Sequence, residues 1–150
     1  MNHVASDRSV RPPSPNVPSH VGPHEIQFET PDVLRVVMHG DILADHMLAM
    51  YDIVESMAAG PASLFILQDL SRSQNFTAGA RKTVASEPRA DLIAGVASFG
   101  ESFQMRVMVA MLDKASRLFG RQRVTPSGFF ATETLARDWI AERRRQTAAR

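Results

Sequence analysis

The feature that most constrains the fold is a repeated switch between strand-like and helix-like hydrophobic periodicity from Glu25 onward. The stretch "EIQFET" alternates, which predicts a short strand. Turn residues follow, and "VLRVVMHG" then predicts a second strand that pairs with the first as a hairpin. Two continuous apolar runs, "SLFILQ" and "LIAGVASF", are typical of strands that are buried on both faces. The chain therefore needs helices on both sides of a sheet.

Helical patterns separate these strands. We expect helices over about Asp45–Ala59, Thr77–Glu87 and Ser102–Phe119, and a last helix that begins after Thr132. Asp45 is the expected N-cap of the first helix. The short segment "RVTPSGFFA" predicts a final strand at a sheet edge or with a bulge, because it contains a proline and a glycine. The order ββαβαβαβα predicts an α/β fold in which an N-terminal hairpin leads into parallel βα units, with about four helices on a mixed β-sheet.

The length of 150 residues suits one domain. Five of the nine prolines lie in the first 23 residues, which contain little that could be buried. We therefore predict a disordered Pro/Ser-rich tail over 1–23, a domain over 24–146 and a frayed C-terminus over 147–150.

Composition excludes several classes of function. The net charge of +1 gives no global field that would attract nucleic acid or an anionic membrane. The absence of cysteine excludes disulfides, thiolate metal sites and a cysteine nucleophile, and it suits the cytoplasm, where we expect the protein to act. No apolar run reaches the roughly 18 residues that a transmembrane helix needs, so we predict no transmembrane segment.

Three stretches carry a resemblance to a known family: "FILQDLS", "VASFGESFQMRVMVAMLDKASRLFG" and "FFATETLARDWIAER". They resemble the central strand, the strand with its long helix, and the closing strand with its helix of the STAS domain, the fold of anti-sigma-factor antagonists. The resemblance is closest to the divergent SpoIIAA-like (STAS/SEC14-like) family and covers about Glu25–Arg144. It implies a non-enzymatic regulatory or protein-interaction module whose partner is a regulatory kinase or a sigma-factor regulator.

The resemblance also directs attention to the segment after "FILQDLS". Members that act as phospho-switches carry Asp-Ser-Ser-Gly there and are phosphorylated on the second serine, whereas this chain has Phe-Thr-Ala-Gly with Ala78 at that position. Alanine accepts no phosphate, so we expect no switch at this site. The remaining candidates for a phosphorylation or interaction loop are Asp69, Ser71, Ser73, Thr77 and Gly79. For Thr77 the alternative is a helix N-cap.

Six of the eight methionines fall at helical spacing on two predicted helices. Methionine fills irregular cores and also repacks around varied apolar guests, so two interpretations stay open. One is a plain core; the other, which the SEC14-like comparison implies, is a cavity that binds a lipid or other small apolar ligand. Candidate lining residues are Met47, Met50, Phe99, Phe103, Met108 and Met111.

Other candidate sites are weaker. His39, Asp41, Asp45 and His46 lie close together in the sequence, but their spacing fits no established metal motif, so we predict no metal and no cofactor. No nucleophile elbow or paired-acid motif is present, which favours a protein that is not an enzyme. The basic C-terminus around Arg143, Arg144 and Arg145 complements a helix dipole or contacts an acidic partner, and it does not predict nucleic-acid binding.

Overall fold

The computed structural model describes residues 10–61, 63–118 and 125–149, without the side chains of 112, 113 and 115–118. The strands in these ranges are Ser19–Val21 (β1), His24–Glu29 (β2), Val33–Ile42 (β3), Leu64–Phe76 (β4), Ile93–Phe99 (β5) and Ser127–Phe130 (β6). The helices are Ala44–Ser56 (α1), Ala78–Ser86 (α2), Phe103–Leu118 (α3) and Glu133–Ala148 (α4), and a 3-10 helix covers Pro88–Leu92.

The strands form one sheet in sequence order, β1-β2-β3-β4-β5-β6. The β1–β2 and β2–β3 pairs are antiparallel, and the β3–β4, β4–β5 and β5–β6 pairs are parallel. The predicted α/β class, with a hairpin followed by parallel βα units, is confirmed. The short strand β6 lies at the edge of this sheet, where a nearby proline costs no ladder hydrogen bond.

Helices cover both faces of the sheet. One face packs against α1, α2 and α3, and we call it the cavity face; the other packs against α4, and we call it the α4 face. Side chains alternate along each inner strand, so Ile66 belongs to the cavity face and its neighbours Phe65 and Leu67 belong to the α4 face. This alternation explains why the strands are apolar at consecutive positions.

Ion pairs fasten α4 to the β2–β3 hairpin. Arg144 contacts Asp32 through two nitrogens at 2.6 and 2.8 Å, and Arg137 contacts Glu29 in the same way at 2.8 and 3.0 Å. Glu133 lies 2.6 Å from Arg35, and this hydrogen bond lowers the pKa of the glutamate. The sequence analysis gave an acidic partner as one possible contact of Arg144. In the structure its guanidinium binds Asp32 of the same chain.

The structure corrects the boundary of the predicted N-terminal tail. Residues 1–9 lie outside the described residues, but β1 lies within the segment predicted to be disordered, and the Asn16 amide donates to the Phe28 carbonyl at 2.7 Å. β1 occupies the run between Pro18 and Pro23, where the amides are free to pair with the edge of β2. At the other end, α4 continues to Ala148, into the segment 147–150 that was predicted to fray.

Two further boundaries differ from prediction. Helix α1 begins at Ala44 with Leu43 as N-cap, so Asp45 lies in the first turn and complements the helix dipole there instead of capping it. The predicted loop after "FILQDLS" is strand, because β4 continues to Phe76 by parallel pairing with β3. Gly40, with a φ of 63°, accommodates the irregular register of β3 along this extension.

Candidate functional site

A partly enclosed cavity of about 190 Å³ lies between the cavity face of the sheet and helices α1–α3. Its walls come from β3, β4, β5, β6 and the three helices. Most of the lining is aliphatic, methionine or phenylalanine, and no charged side chain lines the cavity within the described ranges. An engineered apolar cavity of about 150 Å³ stays dry and binds benzene, so this cavity has room for a small organic molecule.

The floor of the cavity consists of two rows of side chains that cross the sheet in register. The first row joins Leu34, Ile66, Val96 and Ser127; the second joins Val36, Gln68, Ser98 and Phe129. Each row takes one residue from each parallel strand, because adjacent strands place paired residues on the same face. The second row is nearer the carboxyl ends of the strands, where open α/β sheets commonly bind ligands.

Gln68 and Ser98 are the polar members of the second row. Ser98 is only 4% exposed, and its hydroxyl donates to Gln68 Oε1 at 3.1 Å. Sequence reasoning missed both residues. The available signal was a polar residue at a position that alternation assigns to the apolar face: Gln68 lies between Ile66 and Leu70, and Ser98 follows Val96.

Arg89 fixes the wall next to the 3-10 helix. Its guanidinium donates to Glu87, to Asp52 at 2.5 Å and to Glu55 at 3.1 Å, and these carboxylates raise its pKa, Glu87 most strongly. It also lies 5.8 Å from the ring centre of Tyr51, which lines the cavity. These contacts tie the 3-10 helix to α1. They also pair the Arg89 guanidinium with three carboxylates of the same chain.

The predicted lining methionines differ in their position relative to the cavity. Met47 and Met50 of α1 line the cavity, together with Met38 and Met105. Met108 is partly buried against the same core cluster but is not among the lining residues.

Three other predicted lining residues lie elsewhere. Phe99 packs on the α4 face, because β5 directs it opposite to Ser98. Phe103 is 80% exposed and Met111 is 65% exposed on α3. Met111 was assigned from helical spacing and Phe103 from its place near the strand-to-helix turn, and neither signal says whether the side chain turns inward.

The candidate phosphorylation segment is part of the sheet rather than a loop. Asp69 accepts hydrogen bonds from the amide and the hydroxyl of Ser71 at 2.9 and 2.6 Å, and Ser73 donates to the Leu70 carbonyl at 2.7 Å. Arg72 and Ser73 pair with β3. These groups therefore have structural roles.

Thr77 caps α2, which is the alternative that the sequence left open. Its hydroxyl accepts from the Ala80 amide at 3.3 Å and donates to the Ile42 carbonyl at 2.7 Å, so it joins the helix start to the end of β3. Gly79 is exposed, and a methyl group there would lie 3.4 Å from Ala44 of α1. Ala78, which the resemblance places where a phosphoacceptor would lie, is exposed on the first turn of α2.

The histidines and aspartates between His39 and His46, which lie close together in the sequence, do not converge on one point. Asp41 accepts two hydrogen bonds from Asn75, and His46 accepts one from the Leu43 amide at 3.1 Å. Within the described residues, no group of three or more histidines and carboxylates is placed to hold a metal ion.

His24 and His46 form a pair in this region, although His24 adjoins the proline-rich segment and was not among the predicted site residues. His24 is fully buried; its Nδ1 accepts from the His39 amide at 3.0 Å, and its Nε2 lies 3.0 Å from His46 Nδ1. These contacts fit a neutral His24 that donates from Nε2. Burial, followed by the neighbouring His46 and His39, lowers the pKa of His24 to about 4.

An apolar stripe is exposed on α3. Phe103, Val107 and Met111 are spaced by four residues and are 80%, 43% and 65% exposed. Consecutive positions at this spacing lie on one side of a helix, so the three side chains share one surface. We call it the α3 stripe. None of the helices in the described ranges is both long and apolar enough to cross a bilayer.

Comparison with known proteins supports the fold. The chain is similar to a solved structure, an uncharacterized protein of the DUF3478 family with a SpoIIAA-like fold from Shewanella loihica PV-4. The two chains are 19% identical, the match covers 84% of this chain and 97% of the other, and the TM-score is 0.51. No protein-family profile and no curated protein matches the chain. The predicted resemblance is thus confirmed at the level of architecture: the chain has a SpoIIAA-like fold.

Proposed function

We propose that the protein is a non-enzymatic cytoplasmic module that binds a small apolar molecule between the sheet and helices α1–α3. The observation that carries this proposal is the cavity of about 190 Å³ with its apolar lining. A cavity that no guest occupies forfeits dispersion contacts along its wall. A guest restores them and buries its own surface, at roughly 25 cal/mol per Å².

The cavity volume limits the size of the ligand that can lie inside it. It exceeds the engineered cavity of about 150 Å³ that holds benzene, but only modestly, which favours a ligand with one ring or a short chain over a complete two-chain lipid. The four lining methionines support the proposal as well, since their unbranched side chains adapt to guests of different shape.

The test combines detection of a natural ligand with a filled cavity. Organic extraction and native mass spectrometry of freshly purified protein are expected to show a co-purifying apolar compound, and benzene titration followed by NMR is expected to saturate. Val96→Phe places a ring in the cavity and is expected to abolish both, whereas the same change at the exposed Val107 is the control and leaves both intact. A folded wild-type protein that neither retains a compound nor binds benzene would refute the proposal.

A second function, docking of a regulatory protein partner, is favoured by the α3 stripe. Exposed apolar side chains at helical spacing resemble the anchors by which helices bind partners. We therefore also propose that a protein partner contacts this stripe. A partner identified by cross-linking is expected to bind purified protein at least about tenfold more weakly after Phe103→Ser together with Met111→Ser. The same substitution at Leu135, exposed on α4, is the control. Unchanged affinity in the stripe variant contradicts the proposal.

We propose that neither function depends on phosphorylation at the family position. Ala78 has no acceptor oxygen, and the hydroxyl of Thr77 is already occupied by the cap and by the Ile42 carbonyl. Phosphopeptide mass spectrometry of the native protein is expected to find residues 76–79 unmodified. Stoichiometric phosphate on Thr77 would show that the acceptor has moved by one residue.

A further inference from the structure

We infer that the cavity's ligand is uncharged and carries a hydrogen-bond acceptor, such as a carbonyl oxygen, that binds to the side-chain amide of Gln68. This inference rests on the proposed ligand-binding function and specifies the chemical class of the ligand. It assigns Gln68 as the residue that contacts the ligand's polar group and Ser98 as the residue that positions Gln68.

The position of the pair is the first support. Gln68 and Ser98 are directly paired across β4 and β5, and both side chains line the cavity. Val36 and Phe129 flank them in the same row of the sheet. Gln68 remains partly exposed although β4 is an inner strand, as expected for an amide that faces the cavity. A polar pair thus lies inside an apolar wall, which is how small-molecule sites fix the orientation of a ligand.

The hydrogen bonds of the pair leave one donor group available. The Ser98 hydroxyl donates to Gln68 Oε1 at 3.1 Å, which fixes the amide plane. Gln68 Nε2 carries two further hydrogens, and the described residues provide no acceptor for them. An amide donor at an apolar wall favours a guest that presents an acceptor, because that guest gains a hydrogen bond that a hydrocarbon lacks.

The charge of the lining excludes an ionic ligand. Lysine, arginine and histidine are absent from the cavity wall, as far as the structure describes it. Arg89, which lies beside the wall, is already bonded to three carboxylates. A carboxylate in this cavity would lose its hydration without gaining a counter-charge, which is far more costly than burying a neutral carbonyl. The ligand's polar group is therefore neutral.

Three probes of matched size and shape test the inference: acetophenone, α-methylstyrene and benzoate. Acetophenone carries a carbonyl oxygen where α-methylstyrene carries a methylene group, and benzoate replaces the methyl ketone with a charged carboxylate. Affinities are measured by NMR titration at pH 7. We expect acetophenone to bind roughly three- to tenfold more tightly than α-methylstyrene, the gain of one neutral hydrogen bond. Benzoate is expected to show no saturable binding.

Two variants assign the preference to the pair. Gln68→Met keeps the length of the side chain and removes its donors, so acetophenone and α-methylstyrene are expected to bind equally, with the hydrocarbon bound at least as well as by the wild type. Ser98→Ala frees the amide and is expected to reduce the preference without removing it. The control is Gln74→Met, the same substitution on an exposed position of the same strand, which leaves all affinities unchanged.

The outcomes separate the two proposals. If none of the probes binds to folded wild-type protein, the proposed function fails and the inference fails with it. If both neutral probes bind with equal affinity, or if Gln68→Met keeps the preference for acetophenone, the cavity binds ligands but the inference about Gln68 is wrong. Tight binding of benzoate refutes the statement that the ligand is uncharged.

Discussion

The two faces of the sheet are built from alternate residues of the same strands, yet they are packed in opposite ways. On the α4 face, Phe65, Leu67 and Ala97 are completely buried. A methyl group added to Gly95 would lie 3.1 Å from the Trp139 ring, so there is no spare volume between β5 and α4 at this point. On the cavity face, by contrast, the side chains leave a cavity of about 190 Å³ between them.

The difference shows how the fold divides its tasks. α4 lies tightly on the sheet and is held to the β2–β3 hairpin by charged hydrogen bonds, so this face contributes rigidity. The cavity face accepts imperfect packing, which reduces stability but leaves room for a ligand. Mutations that distinguish the two faces therefore test the comparison.

The largest effect is expected for the pH dependence of the free energy of unfolding. It is caused by His24, which lies at the end of the cavity face where α1 begins. Because the pKa of His24 is lowered to about 4 in the folded protein, protons bind preferentially to the unfolded chain, whose histidine titrates at its ordinary value near 6.5. The contribution of neutral His24 to the free energy of unfolding is fully present above pH 6.5. It is lost between pH 6.5 and about 4, and the loss amounts to about 3 kcal/mol. Urea unfolding at a series of pH values measures it.

The groups that face His24 are His46 from α1 and His39 from β3, whose Nε2 lies 3.8 Å from Glu25. His24→Asn keeps an acceptor for the His39 amide and is expected to flatten the profile in this window. The exposed His20, changed to Asn, is the control and keeps the wild-type profile. A His24→Asn profile as steep as the wild type would mean that other groups cause the loss.

On the α4 face, the next largest effect is expected for Asp32→Asn. Asp32 is 7% exposed and binds Arg144 through both carboxylate oxygens, and charged hydrogen bonds of this kind contribute about 2 kcal/mol. Glu142→Gln breaks an exposed pair with Arg145 and is expected to leave stability unchanged. Equal effects of the two variants in urea unfolding would show that the buried pair does not fasten α4.

A direct comparison of the faces uses adjacent residues of β5. Ala97→Val adds volume on the α4 face, where overpacking is expected to lower the free energy of unfolding by about 2 kcal/mol. Val96→Ile adds volume on the cavity face and is expected to be neutral or slightly stabilising, because the new methylene enters free space. If Val96→Ile destabilises as much as Ala97→Val, the cavity face is packed as tightly as the α4 face.

The smallest effects are expected at the helix caps. Thr77 and Thr132 each accept a hydrogen bond from an amide of the first turn at 3.3 Å, so the loss of the cap alone is expected to cost about 1 kcal/mol in each alanine variant. Thr77→Ala is expected to cost more, because Thr77 also donates to the Ile42 carbonyl. Thermal unfolding of the two variants provides the comparison, and a larger loss at Thr132 would contradict it.

Much of the fold follows from sequence pattern. Four features depend on local periodicity and on short-range chemistry. They are the hairpin, the two buried apolar strands, the cap at Thr77 and the inward position of Met47 and Met50. The extension of β4 does not, because a polar stretch that resembles a loop becomes strand when β3 pairs with it.

The remaining features depend on contacts between distant residues. Gln68 and Ser98 meet only through the register of β4 against β5, and His24 is buried only because α1 and β3 close over it. The inward or outward direction of Phe103 and Met111 depends on how α3 sits on the sheet. Local pattern marks Gln68 and Ser98 as polar residues at apolar positions, but it does not contain these contacts.

The central claim, that one face of the sheet is hollow and the other is full, is tested most directly by a crystal structure determined under xenon pressure. Xenon enters dry apolar cavities. We expect xenon density between Val36, Val96 and Met50 on the cavity face and none between the sheet and α4. Side chains that fill the space on the cavity face, with no xenon bound there, would contradict the account.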